Sequence, residues 1–221
     1  MLEAEMVQGM NNYFNRYGIK YSNEVRMGIG IPDITFNIGA NSKIKRVDDY
    51  NMLAILQYLH NEKTATYQQI VNYFNFKITR VRHYISCFVN MSLVKVKNEV
   101  IRIIRNIFNT KLGTIISIEA KLKDWRNGLL QAQRYLCFSD YSYLALPSHK
   151  IMNVDLNLIR DKGIGLISVE NDNLIEILKP KISMSCDYNL KYIVTSQILN
   201  DENNSDKRRR RDKIFFEYAI N

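Results

Sequence analysis

The chain has 221 residues, of which 46% are hydrophobic, and it carries three cysteines and a formal net charge of +9 at pH 7. This length and apolar content allow one large domain, or one domain that carries a smaller one, and they exclude a disordered tail. No apolar run reaches the roughly 18 residues that a membrane helix needs, and the start MLEAEMVQGM is acidic where a signal peptide is basic. We therefore expect an intracellular, cytoplasmic protein without a membrane partner.

The spacing of the cysteines and the net charge limit the ligands that the chain is expected to bind. Cys87, Cys137 and Cys186 are spread along the chain, which suits neither a disulfide framework nor the close pairs of a zinc site. We expect free thiols. A pI near 9.4 favours an anionic partner, and nucleic acid is the commonest large one.

The N-terminal segment predicts one helix and two strands. In LEAEMVQGMNNYFNRYG the apolar residues recur at helical spacing, and Gly18 marks the end of the helix. Residues 19–36 read as two paired strands joined by a glycine-containing turn, with Pro32 at the start or the edge of the second strand. The polar segment that follows indicates a domain boundary near Lys45.

Residues 46–105 predict a separate module of three helices and a hairpin. The helical segments are DYNMLAILQYLHN, TATYQQIVNYFN with Thr64 or Thr66 as N-cap, and KITRVRHYISCFVNMS. The segment LVKVKNEVIRIIR alternates around an Asn-Glu turn, as a two-stranded wing does. This order resembles a winged helix-turn-helix domain, whose third helix enters the DNA major groove while the wing contacts the backbone.

The third helix of this module carries the DNA-binding residues that the resemblance implies. Its core side is expected to hold Ile78, Val81, Ile85 and Phe88. The alternatives are that its cations only solvate the helix, or that the module binds a protein. The expected exposed DNA-binding set is Lys77, Thr79, Arg80, Arg82 and His83.

Residues 106–221 return to alternating strands and helices. The strand in TIISIEAKLKDW, the helix DWRNGLLQAQRYLCFS and the strand DYSYLALP form a strand-helix-strand crossover, which requires a parallel pair of strands. A loop or helix through MNVDLNLIRDK leads to two further short strands, GIGLISV and LIEIL. The fold class is therefore α/β, with residues 1–45 and 106–221 forming a discontinuous core and residues 46–105 an insertion.

Charged residues at the end of the central strand indicate a metal site. Glu119 and Lys121 project to the same face because strand side chains alternate. A hard divalent cation needs carboxylate oxygens, and a nearby lysine can orient an attacking water. A second carboxylate should lie on the neighbouring strand, where Asp33 stands in an otherwise apolar segment and is costly unless it is paired or metal-bound.

These residues, in this order, resemble the PD-(D/E)XK or restriction-endonuclease-like nucleases. Pro32-Asp33 matches the first half of the family's motif, and Glu119-Ala120-Lys121 matches the second half as E-x-K. The resemblance implies a mixed central sheet flanked by helices. It also implies a magnesium-dependent endonuclease, a hydrolase of DNA phosphodiester bonds, in which Mn²⁺ can replace Mg²⁺.

Two further matches support the resemblance. QAQRY matches the frequent Q-x-x-x-Y extension through Gln131 and Tyr135. EAEM resembles the start of the first core helix in the Holliday-junction-resolvase branch, with Glu3 as the better match for its glutamate and Glu5 as the alternative. The resemblance covers roughly residues 1–40 and 109–178, and the inserted module makes the gap between the two motif halves longer than usual.

The resemblance assigns a role to each matched residue. The metal ligands are Asp33, Glu119 and the carbonyl of Ala120, and Lys121 places the attacking water. Glu3 assists from the outer shell of the metal. The catalytic set is Asp33, Glu119, Lys121, Glu3 and Gln131.

Several alternatives stay open. The chain could be a non-catalytic DNA-binding regulator that keeps the nuclease fold for dimerisation, or a junction-resolving endonuclease that cuts as a symmetric homodimer. Without a function, Lys121 and Glu119 would form a surface ion pair, Asp33 would cap a turn, and Gln131 would be a packing residue. The run Lys207–Arg211 is interpreted as solvated charge, with phosphate contact as the alternative.

Overall fold

The computed structural model of the chain describes residues 2–41 and 44–200, so the basic run Lys207–Arg211 lies outside the described residues. The chain divides into two compact units, one of Met1–Arg46 with Lys111–Asn221 and one of Val47–Thr110. The sequence placed the corresponding boundaries after residues 45 and 105.

The described residues form seven α-helices, one 3-10 helix (Ser148–Asn153) and nine strands, and we number the α-helices and strands in chain order. The helices are α1 (Glu3–Arg16), α2 (Tyr50–Glu62), α3 (Tyr67–Phe74), α4 (Ile78–Asn90), α5 (Trp125–Tyr135), α6 (Leu156–Asp161) and α7 (Tyr188–Asn200). The strands are β1 (Tyr21–Asn23), β2 (Ile34–Ile38), β3 (Thr64–Thr66), β4 (Val94–Lys97), β5 (Val100–Ile103), β6 (Thr114–Ala120), β7 (Tyr141–Pro147), β8 (Gly165–Glu170) and β9 (Asn173–Leu178).

The larger unit contains a six-stranded mixed sheet in the order β1-β2-β6-β7-β8-β9. The pairs β6–β7 and β7–β8 are parallel, and the other three are antiparallel. The parallel pair around α5 confirms the crossover that the sequence predicted. The α/β class, with helices flanking a mixed sheet, is likewise confirmed.

Alternation along the strands gives the sheet two apolar faces. On one face, Met6, Met10 and Phe14 of α1 pack against a cluster that includes Phe36 and Ile118. On the other face, α5 packs on β6 and β7, while α7 packs beside Tyr135 and Phe138. Each side chain of this size that is fully buried contributes roughly 1.5–3 kcal/mol relative to exposure, so both faces of the central strands are fixed.

The smaller unit consists of α2, α3, α4 and an antiparallel sheet in the order β3-β5-β4. Thr66 is the N-cap of α3, since its side chain accepts from the Gln69 N–H at 3.2 Å. Asn98 and Glu99 both have positive φ, 49° and 63°, as the two central residues of a type I′ hairpin turn require. The helices and the hairpin that the sequence predicted here are confirmed.

Three details of the sequence interpretation were wrong. Asp33 lies immediately before β2, not inside a strand. Ile78 is 37% exposed because it is the first residue of α4, and Tyr84 occupies the core side of that helix. The strand β3 and the helix α7 were not predicted.

Among the described residues, no helix is both long and apolar enough to span a bilayer. The three cysteines are free thiols, as expected.

Candidate catalytic site

Glu119, which is buried, and Lys121, which is half-buried, form an ion pair at the end of β6. The Lys121 Nζ lies 2.7 Å from Glu119 Oε1, and the two side chains are 17% and 3% exposed. Lys121 follows the last residue of the strand, but its N–H still donates to the Ala145 carbonyl of β7 at 3.0 Å. Strand alternation therefore continues to residue 121, and the interpretation as a surface ion pair is wrong.

Asp33 reaches the same strand end through the backbone of Ala120. The Asp33 Oδ2 accepts from the Ala120 N–H at 2.7 Å, so Asp33 joins two strands and does not cap a turn. The register pairs Ile34 with Ile118, and its continuation places Ala120 opposite Pro32. Proline has no N–H to donate to the Ala120 carbonyl. The Pro-Asp dipeptide thus ends the strand pairing and brings a carboxylate to that point.

Tyr135 holds the second carboxylate. Its hydroxyl lies 2.5 Å from Glu119 Oε2 and 3.1 Å from the carbonyl oxygen of Ile31. Gly30 permits this approach, because a Cβ at that position would lie 2.6 Å from Tyr135 Cε1. Both oxygens of Glu119 therefore have a fixed partner.

The structure distinguishes the two candidate glutamates of α1. The Glu3 Oε1 accepts from the Leu122 N–H at 3.3 Å, just beyond β6. Glu5 Oε2 instead accepts from the Leu2 N–H at 2.7 Å and caps its own helix. Glu3 is therefore the residue that the fold brings to the candidate site.

Gln131 lies on α5 one turn before Tyr135, and residues four apart share one helix face. Its Oε1 is buried without a hydrogen-bond partner within the part of the chain that the structure describes. The structure does not join Gln131 to the carboxylates through any hydrogen bond found among those residues.

Sequence reasoning missed Gly128, which lies on α5 under Lys121. A Cβ on Gly128 would lie 2.6 Å from Lys121 Cγ and 2.7 Å from Leu144 Cδ1. The absence of a side chain at residue 128 therefore creates the space for the lysine. No sequence signal marks this glycine, because the contact exists only once α5 packs on the sheet.

Burial sets the electrostatics of the site. Desolvation raises the pKa of Glu119 and outweighs the hydrogen bonds from Lys121 and Tyr135. Desolvation also raises the pKa of Asp33, against the opposing hydrogen bond from Ala120. Burial lowers the pKa of the Lys121 ammonium, but the hydrogen bond and charge of Glu119 reverse this, so the net shift is upward. The site thus places carboxylates that are costly to ionise around the Lys121 ammonium, which stays protonated.

The donor set suits a hard cation. Asp33 and Glu119 supply carboxylate oxygens, and Ala120, whose carbonyl offers a further oxygen, directly follows Glu119 in the chain. Among the described residues, no group of three or more His, Cys, Asp or Glu side chains is placed to hold a metal. Magnesium sites, however, commonly use only one or two carboxylates and keep several waters. The residues present therefore fit Mg²⁺ and offer no soft ligand for zinc.

In the smaller unit, α4 presents a basic surface. The five predicted DNA-binding side chains, from Lys77 to His83, are all exposed. The Arg80 guanidinium lies 5.5 Å from the Phe76 ring centroid, and that of Arg82 lies 6.0 Å from the Tyr67 ring centroid. These cation–π contacts orient both guanidinium groups while leaving them accessible.

No protein-family model matches the chain, and neither a curated protein nor a solved structure matches it significantly.

Proposed function

We propose that the chain is a magnesium-dependent nuclease of the PD-(D/E)XK type that hydrolyses DNA phosphodiester bonds. The observation that carries this proposal is the placement of one buried carboxylate, one half-buried carboxylate and one ammonium where the ends of β2 and β6 meet. Asp33 bonds to the backbone of Ala120, the residue between Glu119 and Lys121. The stability of the core does not require this arrangement, because buried ion pairs are often no more stabilising than apolar residues.

Each side chain of the site has a distinct role in this proposal. Asp33, Glu119 and the Ala120 carbonyl would hold Mg²⁺, which offsets negative charge on the phosphate oxygens. Tyr135 fixes the orientation of Glu119, and Glu3 adds negative charge beside Lys121. Lys121 orients a water whose oxygen forms the new bond to phosphorus as the bond to the sugar oxygen breaks.

The smaller unit would bring DNA to this chemistry as a winged helix. Its three helices, its hairpin and the exposed cations of α4 support this proposal. The same cations also favour a second candidate, a regulator that binds DNA through α4 without cutting it. The two candidates differ only in whether the carboxylate site catalyses DNA cleavage.

Cleavage assays separate the two candidates. The purified protein is incubated with labelled linear duplex, single-stranded and four-way-junction DNA, and with RNA, in Mg²⁺, Mn²⁺ or EDTA. We expect cleavage that requires the divalent cation. Preferential, paired cutting of the four-way junction would identify the junction-resolving form.

Three variants test the site itself. Asp33→Asn and Glu119→Gln keep side-chain size but remove the charge that a hard cation needs, so cleavage should fall by several orders of magnitude together with Mg²⁺ affinity. Lys121→Ala should keep metal affinity and lose turnover. If the wild-type protein cuts no nucleic acid with any cation and the variants differ only in thermal stability, the regulator replaces the nuclease.

A further inference from the structure

The loop between β1 and β2 exposes two isoleucines beside the candidate site. Ile29 is 43% exposed and Ile31 is 48% exposed, whereas Val25 earlier in the same loop is 5% exposed. A single exposed apolar residue is ordinary. Here two β-branched residues stand two positions apart, and the loop that carries them ends at Asp33. We call Ile29 and Ile31 the apolar tip.

The apolar tip is held by the residue that also holds Glu119. The Tyr135 hydroxyl lies 3.1 Å from the Ile31 carbonyl oxygen and 2.5 Å from Glu119 Oε2. Gly30, between the two isoleucines, packs so closely on the Tyr135 ring that a Cβ would not fit. The Met27 N–H donates to the Gly30 carbonyl at 3.4 Å and closes the turn. The tip therefore has a defined position relative to the carboxylates.

This position determines what the tip can contact. Ile31 precedes Asp33 by two residues, so their Cα atoms are at most about 7 Å apart. A phosphodiester bound at the carboxylates would place its neighbouring bases at a comparable distance. Arg26, also exposed, adds a cation to the same loop.

We propose that Ile29 and Ile31 insert against the bases that flank the scissile phosphate and unstack them. This inference rests on the proposed nuclease function and adds a substrate class to it: nucleic acid whose bases at the cleavage point are unpaired or mismatched. Apolar wedges such as isoleucine separate base steps in other nucleic-acid-binding proteins. Unstacking costs a few kcal/mol, and least where a base is already mismatched or unpaired.

The local charge favours nucleic acid over a lipid surface as the occupant. Glu24 and Asp33 lie in the same loop as the tip, and their carboxylates would be repelled by anionic headgroups. The bases of a bound strand carry no net charge and could contact the tip, while the phosphates of that strand would lie against the proposed Mg²⁺ and exposed cations such as Arg26.

The test compares one altered tip with a matched apolar pair. The variant is Ile29→Ser/Ile31→Ser. The control is Ile175→Ser/Ile177→Ser on β9, where the isoleucines are 57% and 40% exposed. Ile29→Leu/Ile31→Leu keeps the tip apolar and should retain wild-type behaviour. The substrates are a continuous duplex and the same duplex with a central bubble of mismatches, compared by kcat/KM in Mg²⁺.

We expect the wild type to prefer the bubble, and the serine tip variant to lose about tenfold on the continuous duplex and much less on the bubble, since about 1.4 kcal/mol corresponds to a factor of ten. The β9 control should behave as wild type. In EDTA, duplexes with 2-aminopurine at successive positions should brighten when the wild type binds, and not when the tip variant binds.

Other results overturn the inference. Equal losses on both substrates, no loss on either, or a change of oligomeric state in the serine tip variant would each exclude a base wedge. If the wild type cuts both substrates and none of the variants differs from it, the nuclease proposal stands without the wedge. If the wild type cuts neither substrate nor any other nucleic acid, both proposals fail.

Discussion

Glu119 and Lys121 form an ion pair that is unusual at the end of an apolar strand. A carboxylate that is 3% exposed, with an ammonium 2.7 Å away, gains Coulomb energy only after it has lost nearly all of its water and the half-buried lysine has lost part of its own. Replacing such pairs with apolar residues is often neutral or stabilising. Stability alone therefore does not explain why β6 ends in this pair.

Removing the lysine should make the protein sensitive to pH. Lys121→Ala leaves Glu119 buried with only the Tyr135 hydroxyl as a partner, which should cost about 3 kcal/mol at pH 8. Burial raises the pKa of Glu119 in the folded protein, so the folded state binds that proton more tightly than the unfolded state. The contribution of Glu119 to folding stability is then fully present below its unfolded pKa of about 4.5. It is lost as the pH rises through the raised pKa of the folded state.

Urea denaturation at pH 5 and pH 8 measures this effect. Lys121→Ala should be closer to wild-type stability at pH 5 than at pH 8. In Glu119→Gln/Lys121→Ala the titrating group is gone, so the deficit relative to wild type should not grow between pH 5 and pH 8. A Lys121→Ala deficit that does not change with pH would show that Glu119 is not the group responsible.

Gly128→Ala should separate activity from stability. The new methyl group would lie 2.6 Å from Lys121 Cγ and 2.7 Å from Leu144 Cδ1, so both side chains must move. Alanine gains about 1 kcal/mol over glycine inside a helix, which offsets part of the packing strain. We expect unfolding free energy within about 1 kcal/mol of wild type and a much larger loss of metal-dependent cleavage. Asn127→Ala, the exposed neighbour, should change neither quantity.

At this scale, the sequence could predict the contacts that depend on local periodicity. Glu119 and Lys121 lie together because strand side chains alternate, which places residues two positions apart on the same face. The choice of Glu3 over Glu5 depends on the Leu122 N–H, more than a hundred positions away. The role of Gly128 in making space for Lys121 can be recognised only once α5 is packed on β7.

At the scale of elements, the missed strand and helix share a cause. In β3, three residues are strand only because they pair with β5, and so short a segment carries no period of its own. In α7, buried residues lie on most sides, among them Tyr192, Val194 and Ser196. A helix buried on most sides lacks the polar stripe that makes a helical pattern visible.

The smaller unit depends on a capping contact between two of its helices. Asp49 caps α2 by accepting from the Asn51 and Met52 N–H groups, and its Oδ2 accepts from the Tyr84 hydroxyl of α4 at 2.8 Å. Tyr84→Phe removes that hydrogen bond and should destabilise this unit by about 1 kcal/mol. Tyr73→Phe, at a residue 69% exposed, is the matched control and should have little effect in thermal or urea denaturation.

At the scale of the whole molecule, the smaller unit carries an excess of positive charge. Val47–Thr110 contains eight lysines and arginines against four acids, a net charge of +4 with histidine neutral. The sequence could predict this module because its helical periods and its hairpin turn are local signals. The complete order of the six strands could not be predicted, since β2 pairs with β6 across the entire module and only the carboxylate of Asp33 indicated that these two strands are neighbours.

The basic surface of α4 leads to a prediction about salt. If Arg80 and Arg82 contact phosphates, Arg80→Ala/Arg82→Ala should weaken DNA binding and reduce the slope of log K against log salt by nearly two units, since each phosphate contact contributes about 0.9. Lys162→Ala/Lys181→Ala removes the same charge from exposed positions outside the module and should leave the slope near wild type. Fluorescence anisotropy of a labelled duplex in EDTA, from low to moderate salt, measures both slopes without cleavage. Equal small changes in the two variants would mean that only net charge matters, and that α4 contacts something other than DNA.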